Sequence, residues 1–336
     1  MSLVSSTIGL IKHYLCIQKT VNSKSIPAPF REPYILTGYR LPKKSWSYYI
    51  VSLFQWHNET INVWTHLVAC LFVLGELARF GLKYDLFSDK DGGALLAFGL
   101  SCLTMFFFSS MSHLLHLKSI KVHYILSLAD YAGISLYGSG AGIATFYSCC
   151  QPNVYDVMAP FYIIGNVIVG WFVYATCVIA KLTFVGPHAA QRKLMCVFAF
   201  TIQGTWIVTP LLSNYYTYFF DPECSIWNLN HITISCLLCV LEGIAFAAHI
   251  PERYRPKMFD YVGHGHQIFH LLCIFSVIYQ MRAVDRNVDM GLAAHTGMNI
   301  NDVLIGFTAL IMSQIITTFF VLGLVDKKVN EIVKAS

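Results

Sequence analysis

Of the chain's 336 residues, 56% are hydrophobic and only 12% are charged, against about 45–50% and about 25% in soluble domains. With a mean hydropathy of +0.56 it has too few charges to cover a soluble surface, which excludes a soluble enzyme, a disordered protein and a nucleic-acid binder. The net charge of +5 is small, so the position of the charges carries more information than their sum. Eleven cysteines are too sparse for a disulfide scaffold, and most fall in apolar runs where they read as small hydrophobes.

In chain order, residues 1–62 form a polar and aromatic leader in which Gly9 to Gln18 suits a short interfacial helix. The start lacks the basic stretch and long apolar core of a cleavable signal peptide. A membrane helix needs about 20 mostly apolar residues. Eight segments qualify: 63–82, 93–117, 125–147, 157–180, 194–214, 229–249, 265–284 and 302–325. Residues 326–336 form a short tail. The expected fold is an all-α integral membrane protein, a bundle of seven core transmembrane helices (with an eighth) over residues 63–325. No soluble domain or internal repeat interrupts it.

Lys and Arg in short loops set orientation, because basic loops stay in the cytoplasm. Eighteen of the 23 fall in the leader, the alternate loops 118–124, 181–193 and 250–264, and the tail. The other side holds five, Arg79, Lys83, Lys90, Arg282 and Arg286, and its loops 148–156 and 215–228 hold none. Both termini are therefore expected in the cytoplasm, which an even number of spans requires. On the outer side, Cys224 is expected to pair with Cys149 or Cys150.

Ionisable residues inside spans are costly and are functional candidates by default. With this topology, His113 lies near the cytoplasmic end of the second span, and Ser109 is one turn earlier on the same face. Asp130 falls in the first two turns of the third span. His266 and His270, spaced i, i+4 on one face, open the seventh. Three imidazoles at one depth suit zinc, with a fourth position left for water as in catalytic sites. Asp130 would accept a proton from that water or orient a histidine. Ser109 would donate to a ligand or to a developing oxyanion, although a serine there also serves helix packing. His116 and His264 lie close enough in sequence to compete as ligands.

The run His57-Asn58-Glu59-Thr60-Ile61-Asn62-Val63-Trp64-Thr65-His66 resembles a signature of the progestin and adipoQ receptor family. Upstream, Pro33-Tyr34-Ile35-Leu36-Thr37-Gly38-Tyr39-Arg40 resembles a second. Ser109-x-x-x-His113, Leu128-Ala129-Asp130-Tyr131 and Gly265-His266-Gln267-Ile268-Phe269-His270 match in order and spacing. The resemblance spans about residues 33–325. It is closest to the membrane progestin receptors, on the wording around Phe54–Glu59, on His113-Leu114-Leu115 and on an eighth span. It implies Zn2+ on His113, His266 and His270 with Asp130 and Ser109 nearby, similarity to alkaline ceramidases, and recognition of a steroid.

Other residues admit two readings. Glu59 and Asn62 either cap the first span, the favoured reading, or support the metal site from its rim. Glu242, in the middle of the sixth span, either binds a ligand hydroxyl or is protonated and bonded to a neighbouring helix. Tyr131, Tyr137, Phe269 and Trp206 either line a lipid or sterol pocket or simply pack. Gly138, Gly140 and Gly142 permit close helix approach.

Two functions fit these features. One is a plasma-membrane receptor that takes a steroid or other lipid from the bilayer, with zinc tying spans together. The other is a zinc-dependent intramembrane hydrolase of a lipid amide such as ceramide. A conventional G-protein-coupled receptor is disfavoured by the cytoplasmic N-terminus and by the lack of Asp-Arg-Tyr after the third span and Asn-Pro-x-x-Tyr in the seventh. Coupling to a G protein or another cytoplasmic signalling partner through a different surface stays open.

Overall fold

The computed structural model of the chain describes residues 20–87, 90–184, 189–221, 229–289 and 299–335. Among these, the regular structure is helical apart from one isolated bridge between Val21 and Tyr39. The segment Gly9–Gln18 and the partner cysteine Cys224 lie outside the described residues.

The leader is more structured than a polar tether. Among its described residues before Thr60, the one α-helix is α1 (Trp46–Val51), started by Ser45, whose Oγ accepts from Tyr48 N at 3.2 Å. Ile26, Phe30, Ile35, Tyr39 and Tyr49 are buried against Leu117, Tyr124 and Leu128 of the bundle. Asp260, in the loop 249–264, accepts from Leu36 N, Thr37 N and Thr37 Oγ1 at 3.2, 2.7 and 2.6 Å. The leader thus plugs one end of the bundle, which is called the leader end below. His57, buried there beside the Arg40 cation, is pushed down to about 2 and is neutral.

The long helices are α2 (Thr60–Lys83), α3 (Lys90–Leu115), α4 (Ile120–Cys149), α5 (Pro152–Thr183) and α6 (Ala189–Val208). After a 3-10 turn at Thr209–Leu211 comes the short α7 (Leu212–Phe220). The series ends with α8 (Asn230–Ala248), α9 (Gly265–Asp289) and α10 (Ile300–Ala335). Local signals set several starts. Ser119 Oγ accepts from Val122 N at 3.1 Å to begin α4, and Pro152 opens α5 where a missing N–H costs nothing. Pro210, in the 3-10 turn, separates α6 from α7.

Seven of these stretches are long and apolar enough to cross a membrane: α2, α3, α5, α6 through α7, α8, α9 and α10. The expected third span, α4, is long enough at about 45 Å, but its glycines, serines and tyrosines dilute its hydropathy. Its position explains this tolerance. It packs against α3, α5, α6, α9 and α10, so its polar groups face neighbouring helices rather than lipid. Ser135, for instance, donates to Gly170 O at 2.6 Å and Asn166 donates to Ser139 O at 2.9 Å, satisfying groups that lipid could not. Helix α10 packs outside α5 and α4 and continues through Ala335, so the expected tail extends the last helix.

At the end opposite the leader, α2 and α9 are tied by charges. Glu76 pairs with Arg79 and Arg282 at 2.9 and 3.1 Å, and Asp285 pairs with Arg79 and Lys83 at 2.9 and 3.2 Å.

At the seam between α3 and α4 the two backbones come close. A Cβ on Gly133 would lie 2.9 Å from Met105 Cα and 3.3 Å from Thr104 O, both backbone atoms that cannot yield cheaply. Gly133→Leu should therefore cost on the order of 1–3 kcal/mol by overpacking. Gly204→Ala, where nothing lies within 4 Å, should be neutral or stabilising by helix propensity. Thermal unfolding of the purified variants checks both.

Candidate metal centre and cavity

His113 stands in the last turn of α3, and His266 and His270 stand in the first two turns of α9. Each start or end is fixed by the leader end. Gly263, with φ +84°, makes the turn that a side chain would resist. Glu252, almost fully buried, accepts from Gly265 N at 2.7 Å and places a carboxylate at the positive end of α9. Gln267 braces the same turn, accepting from Gly263 N at 2.6 Å and donating to Tyr261 O at 2.9 Å. Arg40 closes the other side. Its guanidinium donates to His113 O and Leu114 O, both at 2.7 Å, satisfying carbonyls that the end of α3 leaves open.

The three rings converge. His113 Nε2 and His266 Nε2 are 3.1 Å apart, and one nitrogen from each of His113, His266 and His270 lies within 4.8 Å of the others. Zn–N bonds of about 2.0–2.1 Å at tetrahedral angles separate ligand nitrogens by about 3.3 Å, so the donor set fits a small divalent ion.

Outer contacts set which nitrogens face inward. Glu59 Oε2 lies 2.8 Å from His113 Nδ1, so that nitrogen carries the proton and Nε2 presents its lone pair. Asn62 Nδ2 donates to the same oxygen at 2.6 Å. Thr65 Oγ1 lies 2.8 Å from Ile61 O and 3.1 Å from His270 Nδ1. The hydroxyl proton goes to the carbonyl, so Thr65 accepts from Nδ1–H and His270 also turns Nε2 inward. Such carboxylate and hydroxyl partners are the usual orienting groups of metal-bound histidine. Burial alone would raise the Glu59 carboxyl, but His113 beside it and the Asn62 amide hold it well below the usual carboxylate range.

The rings open on a cavity of about 130 Å3. That is far more than the roughly 10–15 Å3 a single water needs. It is less than the roughly 300–1,000 Å3 of a pocket that engulfs a drug-sized ligand. The enclosed space suits the polar end of a larger molecule. Ser109, Asp130, Tyr131 and Phe269 line it.

A model of the haemolysin-III-related family matches residues 54–281, more than half of the chain. The chain belongs to that family. The matched segment takes in Glu59, all three clustered histidines and Asp130. The chain is similar to membrane progestin receptor beta of Homo sapiens, 34% identical over 268 residues covering 79% of this chain and 75% of that protein. It is similar to membrane progestin receptor alpha-B of Danio rerio, 30% identical over 266 residues with the same coverage. It is also similar to membrane progestin receptor alpha of Homo sapiens, 28% identical over 325 residues, 93% of this chain and 90% of that protein. The likeness to the progestin and adipoQ receptor family read from its motifs holds, and with seven candidate spans the chain is an all-α, multi-pass membrane protein.

In this haemolysin-III-related chain the other sequence candidates fall in two groups. Ser109 and Asp130 border the cavity beside the histidines, together with Tyr131 and Phe269. Tyr137, Trp206 and Glu242 lie outside its lining. Tyr137 stacks on Phe98, and its hydroxyl donates to Gln280 Oε1 at 3.4 Å. Trp206 stacks on Tyr162 with centroids 5.3 Å apart. Glu242 lies beside Cys273 and Ser276 on α9. Of the competing ligands, His116 donates Nδ1–H to Ser112 O at 3.1 Å, and His264 borders a smaller neighbouring space; neither joins the cluster.

Two residues of the site lacked a clear sequence signal. Thr65 reads as an ordinary helix threonine. His66 stacks on His270 with centroids 3.7 Å apart and lines the cavity, and neither of its ring nitrogens has a hydrogen-bond partner. The signal available was its i+4 spacing from Asn62, which places both on one face of α2.

Proposed function

We propose that the chain is a membrane receptor for a steroid of progestin type, held in the plasma membrane with both termini in the cytoplasm. The observation that carries this reading is the cavity at the leader end, walled by three inward-turned histidines with Glu59 and Thr65 behind them. The names of its relatives supply the ligand class, and the distribution of Lys and Arg supplies the orientation.

Zn2+ suits His113, His266 and His270, and when bound it would supply a Lewis-acid centre and a rigid tie between α3 and α9. The chain's own groups do the rest. Glu59 and Thr65 hold the protons of the outer nitrogens of His113 and His270. Tyr131 and Phe269 give an apolar wall to the ligand, and Ser109 and His66 offer hydrogen bonds at its polar end. The test is saturable binding of radiolabelled progesterone to membranes expressing the full chain. The comparison is an expression-matched variant with His113, His266 and His270 all changed to Ala. Saturable binding in the parent that is lost in the folded variant supports the reading, and its absence from the parent overturns it.

A second reading is favoured by one observation, that Asp130 and Ser109 face the same space as the histidines. In a lipid-amide hydrolase of ceramidase type, Asp130 would take a proton from the attacking water and Ser109 would donate to the developing oxyanion. Asp130→Asn should then lower ceramide turnover by roughly 10²–10⁴-fold with metal content unchanged. Turnover that persists in this variant removes Asp130 from that role.

A further inference from the structure

The same cavity has a cationic wall that neither reading uses. Lys181, near the end of α5, and Lys193, in the second turn of α6, are each 7% exposed, and both line the cavity with Arg192 beside them. Basic residues near the ends of membrane helices ordinarily extend along the lipid face to reach headgroups. These two lysines are directed inward instead. Lys181 Nζ donates to His123 Nε2 at 2.9 Å, a neutral acceptor. Lys193 Nζ lies 5.0 Å over the Phe246 ring and, among the described residues, makes no hydrogen bond or ion pair. Glu32 and Asp130 also border the space, but neither comes within 4 Å of these cations among the described residues. Glu59 is engaged by His113 and Asn62. A buried cation without a counter-ion costs several kcal/mol, and two buried lysines facing one space with the half-buried Arg192 beside them define a place for an anion. Arg192 adds a planar fork suited to an oxyanion.

We propose that the cavity binds an amphiphile whose polar end is a single oxyanion, a sulfate, phosphate or carboxylate, held by Lys181, Arg192 and Lys193. Its apolar body lies against Phe200, Phe246 and Phe269. The cavity's size, enough for a headgroup and too small for a whole lipid, agrees with this division. For a steroid source the inference rests on the receptor reading; for an acyl-chain source it stands alone.

The test uses the full chain in phosphatidylcholine nanodiscs and four probes: a pregnane 3-sulfate, its 3-hydroxy parent, a lysophosphatidate and the corresponding neutral monoacylglycerol. The anionic form of whichever body binds should bind about tenfold or more tightly than a neutral form. Lys193→Met should level the two affinities, Lys193→Arg should restore the difference, and Lys334→Met on the exposed end of α10 should leave it unchanged. Thermal unfolding shows that each variant is folded. If the neutral steroid saturates the site as well as its sulfate does, the anion site falls and the steroid reading stands. If lysophosphatidate binds in a Lys193-dependent way and neither steroid does, the anion site stands and the steroid reading falls. A preference for the anion that survives in both Lys181→Met and Lys193→Met also overturns the proposal.

Discussion

Replacing His266 or His270 with alanine should weaken zinc binding to the purified protein by roughly 10²–10³-fold. Structural zinc sites contribute apparent binding free energies of about 10–16 kcal/mol. One ligand in four carries about 2.5–4 kcal/mol of that, and about 1.4 kcal/mol is tenfold. Glu59→Gln should cost less, about 10–100-fold, because it weakens only the partner of His113 Nδ1 and leaves the ligand in place. Thr65→Val should fall in the same lower range through His270. The order of these losses is informative. If the three rings met only to hydrogen-bond one another, as the 3.1 Å spacing of His113 and His266 also allows, metal content would be the same in all four proteins. Zinc titration against a chelator of known affinity reads the order directly.

The second large effect belongs to Arg40. Its side chain is 2% exposed, and burial lowers it only to about 10, so it stays a cation at neutral pH. It donates to Ser52 Oγ, Leu114 O and His113 O, all at 2.7 Å, and lies over the Tyr49 ring. Arg40→Met keeps much of the volume but leaves the end of α3 with buried, unpaired carbonyls. Each costs about 1–3 kcal/mol, so the total should be on the order of 3–5 kcal/mol, and the melting temperature should drop by about 5–10 °C. Arg40→Lys should rescue little, because one ammonium cannot span three acceptors in this planar arrangement. Because the same guanidinium holds His113 O, zinc affinity should fall together with stability. A stable Arg40→Met protein would show that the leader is a passive cover.

The site was legible where its logic is one-dimensional. His266 and His270 share a face by spacing, and charge counting brings His113 and Asp130 to the same end as α9. In the sequence Glu59 reads first as a cap. Its partner His113 is 54 positions away, a contact that only the packing of α2 on α3 creates. Arg40 reads as a loop charge for the same reason: nothing local marks a leader arginine as the cap of a helix 73 residues further on. In the sequence helix α4 reads as a span like the others, although its polar composition marks a helix enclosed by protein. The aromatic residues show the limit of periodicity. Tyr131 and Phe269 line the cavity while Tyr137 and Trp206 fill helix seams, and spacing alone distinguishes a buried face from an exposed one but not a seam from a cavity wall.

The most direct test of the account is the zinc K-edge absorption spectrum of the purified full-length chain. The proposed zinc site predicts one zinc per chain with three imidazole nitrogens at about 2.0–2.1 Å, and a lower imidazole count with His266→Ala. A protein that holds no zinc after purification in metal-replete buffer, or a spectrum with sulfur neighbours at about 2.3 Å that His266→Ala leaves unchanged, would contradict it.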